Sequence, residues 1–386
     1  MSAPIEVQGS ARTPLGMSPA RFLREYWQKQ PLLIRQAWTD FACPLTPNDL
    51  AGLACEEDAL ARIVRLDRRR DRWHLETGPF AEDRFASLPA RDWTLLVQDV
   101  DRWDADVARL LDFVHFLPRW RVDDVMVSYA VPGGSVGAHV DQYDVFLVQG
   151  LGQRRWAIDA RPGAPLDFRS DAPIKLLQHF EASHEWVLDP GDVLYLPPGV
   201  PHYGLAETEC LTLSIGMRAP GVGEMLGAWA HARIDQLDDA LRYADPDLKP
   251  ASDPNLLDAA ALARVRAALT QALAAPEDEL ADWFGRFVSS YRRAFMPARR
   301  RCSASQWQAR CQQGATLQIA DGMRLCMRPA GSEMRVYGDG DAYDLDASAY
   351  ALIGRRLSAA DNDALSPRAR AQLLELLRRG WLALVP

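Results

Sequence analysis

The stretch Gly137–Trp156, GAHVDQYDVFLVQGLGQRRW, sets a histidine and an aspartate two residues apart in an apolar run. Side chains alternate faces along a strand, so an extended segment points His139 and Asp141 to one side and Val140 to the other. A carboxylate in such surroundings is costly to bury unless something pairs with it. An imidazole and a carboxylate are two members of the two-histidine, one-carboxylate set that holds Fe(II) and leaves positions open for other ligands. The third member is expected from GDVLYLPPGVPHYG, where Gly191, Pro197, Gly199 and His202 read as a strand, a Gly/Pro turn and a histidine beyond it. Each fragment alone has a plainer reading: a local His–Asp hydrogen bond, or a histidine capping a hairpin. Together, in one β-rich region, they predict a metal centre of His139, Asp141 and His202. The other histidines are expected on the surface or in ordinary core positions, with His184 the best spare ligand.

Open metal positions call for a cosubstrate, and the same stretch offers its partner. YDVFLVQ reads as a strand, GLGQ as a turn and RRWAI as the returning strand, so Arg154 and Arg155 point to opposite faces and one enters the interior. A buried arginine is best explained by a planar acid, so Arg154 is expected to clamp one end of a dicarboxylate whose other end chelates the metal. The plainer reading pairs the arginines with Asp144 or Asp159. Arg218, after the strand LTLSI, is a rival clamp, and Ser214 on that strand is placed to add a hydrogen bond.

These residues need a β-rich scaffold, and residues 122–217 supply one: short β-branched and aromatic runs alternate with Gly and Pro turns, the pattern of a barrel or sandwich. Before it, SPARFLREYWQKQ reads as a helix capped by Ser18 with Pro19 at its first position, and PLLIRQAW and DWTLLVQDV read as strands. DADVARLLDFVHFL reads as an amphipathic helix. After Pro220 come two helical stretches, GEMLGAWAHARIDQLDDALRYA and NLLDAAALARVRAALTQALAA, apolar enough to need a partner surface. Trp229, Leu237 and Leu241 mark the first, and a homodimer through residues of about 221–290 is expected. The basic run RRAFMPARRR reads as a solvated linker. The end of the chain has strands with turns at Asp321–Gly322 and Gly338–Gly340, a helix capped by Ser366 and a closing strand, the order of a winged helix.

Composition excludes several roles. The net charge of −8 gives no basic footprint for nucleic acid, and residues 302–386 carry ten arginines against nine acidic residues. No apolar run approaches the roughly 20 residues of a membrane span. The six cysteines form no CxxC pair, and the first residues show no secretory pattern, so a reduced, cytoplasmic setting is expected.

The segments VMVSYAVPGGSVGAHVDQYDVFLVQGLGQRRWAI, GDVLYLPPGVPHYG (a full second cupin motif) and LTLSIGMRAP resemble the JmjC-type ribosomal oxygenases of bacteria, and RFLREYWQKQPLLIRQAW is similar to that family's N-terminal segment. The resemblance covers about residues 15–220 closely and the remainder more loosely. It implies a double-stranded β-helix (a JmjC, cupin-like barrel) over residues 1–219, a helical dimerisation segment over 220–300 and a winged-helix-like domain over 301–386. It implies Fe(II) on His139, Asp141 and His202, 2-oxoglutarate on Arg154, and dioxygen as the other cosubstrate. It also implies hydroxylation of an arginine side chain on large-subunit ribosomal protein sixteen. An acidic or aromatic lining would suit that guanidinium, and Tyr129, Tyr143 and Asp144 are the expected contacts. One departure stands out: Ala130 occupies the place of a serine in relatives, which puts one 2-oxoglutarate contact in doubt. A non-redox metal-dependent cupin enzyme, an oxygenase with another protein or small-molecule substrate, and a barrel that binds without turnover remain open.

Overall fold

The computed structural model describes residues 4–251, 253–290 and 302–386; the basic run at 292–301 lies outside the described residues. The chain divides into two compact units, Met1–Ala219 and Pro220–Pro386. No helix among the described residues is long and apolar enough to cross a membrane.

The first unit holds β1 (Glu6–Gln8), β2 (Leu32–Arg35), β3 (Ala61–Asp67), β4 (Arg72–Thr77), β5 (Trp93–Val97), β6 (Val122–Ala130), β7 (Val145–Leu151), β8 (Arg154–Ile158), β9 (His184–Leu188), β10 (Val193–Leu196), β11 (His202–Ala206) and β12 (Cys210–Met217). Nine form one sheet in the order β1-β2-β10-β7-β12-β6-β5-β3-β4, and three form a second, β11-β8-β9. The sheets face each other across a shared core in which Leu33, Val145, Leu147, Leu194 and Leu196 of the large sheet meet Trp156, Ile158 and Leu188 of the small one. This is the expected double-stranded β-helix.

The large sheet's opposite face carries a second and larger core. Val125, Val127, Phe146, Val148, Tyr195, Leu213 and Ile215 pack there against Phe22, Tyr26, Leu110 and Phe113 from the flanking helical segments. Both faces are buried, so the strands read as near-continuous apolar runs, and only the two-residue alternation tells interior from exterior. The helix Pro19–Glu25 begins as expected, with the Ser18 hydroxyl accepting from the Arg21 amide. The amphipathic helix expected near 104–117 is shorter: one α-turn at Ala105–Ala108 runs into a 3₁₀ segment, Arg109–Val114.

In the second unit the helices Val222–Ile234 and Ala259–Leu273 pair, with the Trp229 indole donating to the Leu273 carbonyl at 3.0 Å. The first stops at Ile234, short of Leu237 and Leu241, which lie beyond the helical face expected to carry them. A third helix, Glu277–Ser289, packs on the C-terminal strands, where Gly285 lets it approach the Tyr337 ring and Asp282 accepts from Arg286 and Arg335. This helix, placed before the boundary expected at residue 300, thus contacts strands that follow it. The winged-helix core gathers Trp307, Leu317, Val336, Leu345, Leu373 and Leu376. Its last helix, Pro367–Arg379, starts at Ser366 as expected and ends on Gly380 in the left-handed conformation.

Candidate functional site

His139 and Asp141 do not lie on a strand. The chain leaves β6 at Ala130 and does not re-enter the sheet until Val145. Both residues sit on the connecting loop, whose glycine-rich start has a steric cause: a Cβ on Gly134 would come within 2.2 Å of the Trp93 carbonyl, and Gly137 combines a φ of +78° with a Cβ position 2.5 Å from Leu176. The loop is fixed to the small sheet at two places: at its start the Gly133 amide donates to the Ala206 carbonyl at 2.8 Å and the Ala206 amide to the Gly134 carbonyl at 3.0 Å, and further on His139 and His202 form a two-way backbone pair. The His139 amide donates to the His202 carbonyl at 3.0 Å, and the His202 amide returns the bond at 2.9 Å. The Gly199 amide donates to the Asp141 carbonyl at 2.8 Å.

This bridge sets the imidazoles side by side, with centroids 4.2 Å apart. Each ring's Nδ1 lies 2.9 Å from a backbone carbonyl, Gly137 for His139 and Val200 for His202. A carbonyl only accepts, so Nδ1 carries the proton and Nε2 presents a lone pair. The His202 Nε2 is 3.6 Å from Asp141 Oδ2, and one ligand atom from each of the three residues falls within 4.8 Å of the others. Burial, then the neighbouring His139, pushes the His202 pKa down to about 4, so the ring stays neutral and able to ligate at neutral pH. The donor set, two neutral imidazoles and a carboxylate with both Nδ1 positions held from behind, fits a divalent iron.

Arg154 projects into the same interior and is 2% exposed. Its Nη1 is 3.3 Å from the Ser128 hydroxyl and its Nη2 3.4 Å from the Gly204 carbonyl, both long, while Nε has no hydrogen-bond partner. Its Cζ lies 5.0 Å from the Trp156 ring. No carboxylate among the described residues pairs with it, and burial lowers its pKa. A buried guanidinium without a counter-charge is destabilising unless a bound anion completes it. The plainer alternatives are already taken: Arg155 faces outward to Glu185 and Glu207, Asp159 pairs with Arg161, and Asp144 with Arg121. Arg218 follows Met217, at the opposite end of β12 from Cys210, which packs with Ala130 and with Ala206, the residue paired with Arg154. Ser214 is buried and pairs with Met126 and Leu147, one pleat beyond Thr212, which is the residue opposite Ser128.

The expected substrate contacts fare unequally. Tyr143 stays by the centre: the residue is 39% exposed, and its hydroxyl pKa is raised by desolvation and by the Asp141 carboxylate. Tyr129 and Asp144 face the other way. Ser128 points inward, so its neighbour Tyr129 points outward, onto Trp93 with centroids 5.6 Å apart. Asp144 is fully buried on the outer core, accepting from the Tyr195 hydroxyl at 2.7 Å, the Gln28 side-chain Nε2 at 2.9 Å and Arg121 at 3.1 Å. All its oxygens are committed to structure, which removes it from the substrate contacts. His184 stacks on Trp186 and stays outside the centre. Sequence reading missed Ser128, Trp156 and Gly204. The first two were legible as the residues two positions from Ala130 and Arg154, on the same faces.

Comparison with known proteins places this geometry. Residues 109–225 match the JmjC domain, and residues 265–383 match the ROXA-like winged helix. The ribosomal protein uL16 3-hydroxylase of Escherichia coli (strain K12) is 36% identical over 274 residues, which span 70% of this chain and 71% of that relative. A probable ribosomal oxygenase of Haemophilus influenzae is 39% identical over 236 residues, 61% of this chain and 56% of the relative. The X-ray structure of the E. coli protein YcfD aligns with a TM-score of 0.83 at 32% identity, covering 95% of this chain and 98% of that one. A structure of YcfD, an E. coli ribosomal oxygenase, in complex with cobalt and 2-oxoglutarate aligns with a TM-score of 0.80 at 30% identity over the same shares. With a JmjC barrel, a ROXA-like winged helix and this likeness along most of its length, the chain belongs to the bacterial JmjC ribosomal oxygenases.

Proposed function

We propose that this protein is an Fe(II)- and 2-oxoglutarate-dependent oxygenase that hydroxylates an arginine side chain of the large-subunit ribosomal protein uL16. The observation that carries the cosubstrate is Arg154, a buried cation without a counter-charge in the same interior as His139, Asp141 and His202. The E. coli relatives support the pairing, one named for uL16 hydroxylation and one solved with cobalt and 2-oxoglutarate. Bound iron supplies the oxygen-activating chemistry for hydroxylation coupled to oxidation of 2-oxoglutarate. The protein's own part is positional. His139, Asp141 and His202 would hold the metal, each through one ligand atom. Arg154 receives the distal carboxylate, which fixes the cosubstrate's direction. Trp156, whose ring lies 5.9 Å from that of His202, walls the space between clamp and metal. Tyr143 borders the opening beside Asp141, an aromatic acceptor face for a guanidinium.

The net charge of −8 favours encounter with a basic ribosomal protein. Mass spectrometry of uL16 from cells with and without the gene tests the substrate. An arginine bearing one added oxygen, lost in the deletion strain, is the expected result; an unmodified protein in both strains refutes it.

We further infer that the protein works as a homodimer through its helical segment. The helices Val222–Ile234 and Ala259–Leu273 bury no residue fully, and Leu226, Ile234, Leu262 and Leu269 are each more than half exposed. Apolar faces of this extent on a water-soluble surface are favourable sites for a second copy.

A further inference from the structure

Net charge is an average over the chain, and here it conceals a local excess of the opposite sign. Residues 62–72 carry six arginines against two aspartates. They form β3, β4 and the turn between them, and β4 is the outermost strand of the nine-stranded sheet. At the turn the acidic residues are already used. Asp67 takes the Arg70 guanidinium at 3.2 Å, Asp92 takes Arg68 at 2.7 Å, and Asp71 and Asp171 share Arg169, each at 2.8 Å. Arg69, Arg72 and Arg91 are exposed and have no ion-pair partner among the described residues. Charge of either sign keeps an edge strand from pairing with other chains, so edge protection alone does not account for an excess of one sign.

This cationic tip is tied to the loop that carries two of the metal ligands. Arg68 Nη2 donates to the Gly133 carbonyl at 3.1 Å. The Trp73 ring lies 3.2 Å from where a Cβ on Gly137 would be, and the Gly137 carbonyl holds the His139 imidazole. Arg169, which holds Asp71, belongs to the segment whose Leu177 amide donates to the Ala138 carbonyl at 2.8 Å. The tip therefore borders the metal centre without belonging to it. A substrate that brings a side chain to the metal brings whatever is bound beside it to these arginines. A basic protein by itself gains nothing from them, since like charges repel. A ribosomal protein, however, is held on RNA, and guanidinium groups pair with phosphate through two parallel N–H···O bonds. Such contacts position a complex without reading its bases.

We infer that the turn between β3 and β4 is a docking surface for the phosphate backbone of RNA that accompanies the ribosomal-protein substrate, with Arg69, Arg72 and Arg91 as its contact residues. This rests on the substrate reading above. The test is fluorescence anisotropy of a short labelled RNA duplex titrated with the full chain at several salt concentrations, beside succinate formation with RNA-free uL16. Joint substitution Arg69→Ala, Arg72→Ala and Arg91→Ala is expected to weaken RNA binding roughly tenfold or more at low salt. It is also expected to reduce the salt dependence of log K by about one per arginine removed, and to leave turnover of RNA-free uL16 unchanged. Joint substitution Arg12→Ala, Arg24→Ala and Arg109→Ala removes equal charge from other exposed positions of the same unit and is expected to change binding little. Equal weakening in the two triple variants, no RNA binding by the unsubstituted protein, or displacement of the RNA by polyglutamate at equal charge overturns the inference and leaves the substrate reading standing. Absence of succinate from the unsubstituted protein with uL16 overturns the substrate reading and this inference with it.

Discussion

Two carboxylates three residues apart divide sharply in role. Asp141 faces His202 across 3.6 Å at the metal centre, while Asp144 is enclosed with Tyr195, Gln28 and Arg121 on the far side of the sheet. His139→Ala, Asp141→Ala and His202→Ala are each expected to abolish succinate formation and lower bound iron, with the thermal transition nearly unchanged. Metal analysis and calorimetry on the same samples check this, and a variant with near-normal turnover would remove its residue from the ligand set. Asp144→Ala is expected to do the opposite. Removing one partner of a buried ion pair costs about 3–5 kcal/mol, so denaturant unfolding should show a large stability loss while KM for the protein substrate is kept in the folded fraction. A selective rise in KM at full stability would return Asp144 to the substrate contacts.

Among the elements, β8 and β11 make the proposed clamp together. Arg154 and Trp156 share the inward face of β8, and opposite them β11 offers Gly204, where a Cβ would sit 2.7 Å from the Trp156 ring and 2.8 Å from Arg154 Nε. The missing side chain is the room in which the arginine turns toward Ser128. Gly204→Ala is expected to cost about 1–3 kcal/mol by overpacking and to weaken 2-oxoglutarate binding out of proportion to that loss. Calorimetric titration of the cobalt-loaded variant alongside its unfolding curve separates the two effects; unaltered affinity would show that the clamp does not depend on this gap.

At the scale of the whole molecule, the proposed catalytic and assembly roles fall in different units: the metal centre and the proposed clamp lie within Met1–Ala219, and the exposed apolar helices within Pro220–Pro386. Leu262→Glu with Leu269→Glu is therefore expected to turn a dimer into a monomer by light scattering, without loss of metal binding. Both residues are solvent-exposed in the single chain, so the charges carry no burial cost within it. An unchanged dimer would place the interface elsewhere, and a monomeric parent protein would remove it.

The chain order of its residue types determined much of this protein. The HxD pair, the Gly/Pro-spaced histidine and the hairpin arginine could be read together because metal and acid recognition restrict residue type and spacing severely. Alternation with period two likewise separated Arg154 from Arg155, since a hairpin sends neighbours to opposite faces. Tertiary structure alone decided the rest. His139 and Asp141 were expected on a strand, but they sit on a loop, aligned by the backbone pair with His202, a contact between residues 63 positions apart that no local pattern encodes. Tyr129 and Asp144 were expected at the substrate, and the sheet turns them away. Because that sheet is buried on both faces, apolar and polar residues do not mark which side is the interior; the second sheet settles that by closing over one face, and with it Ser128 meets Arg154.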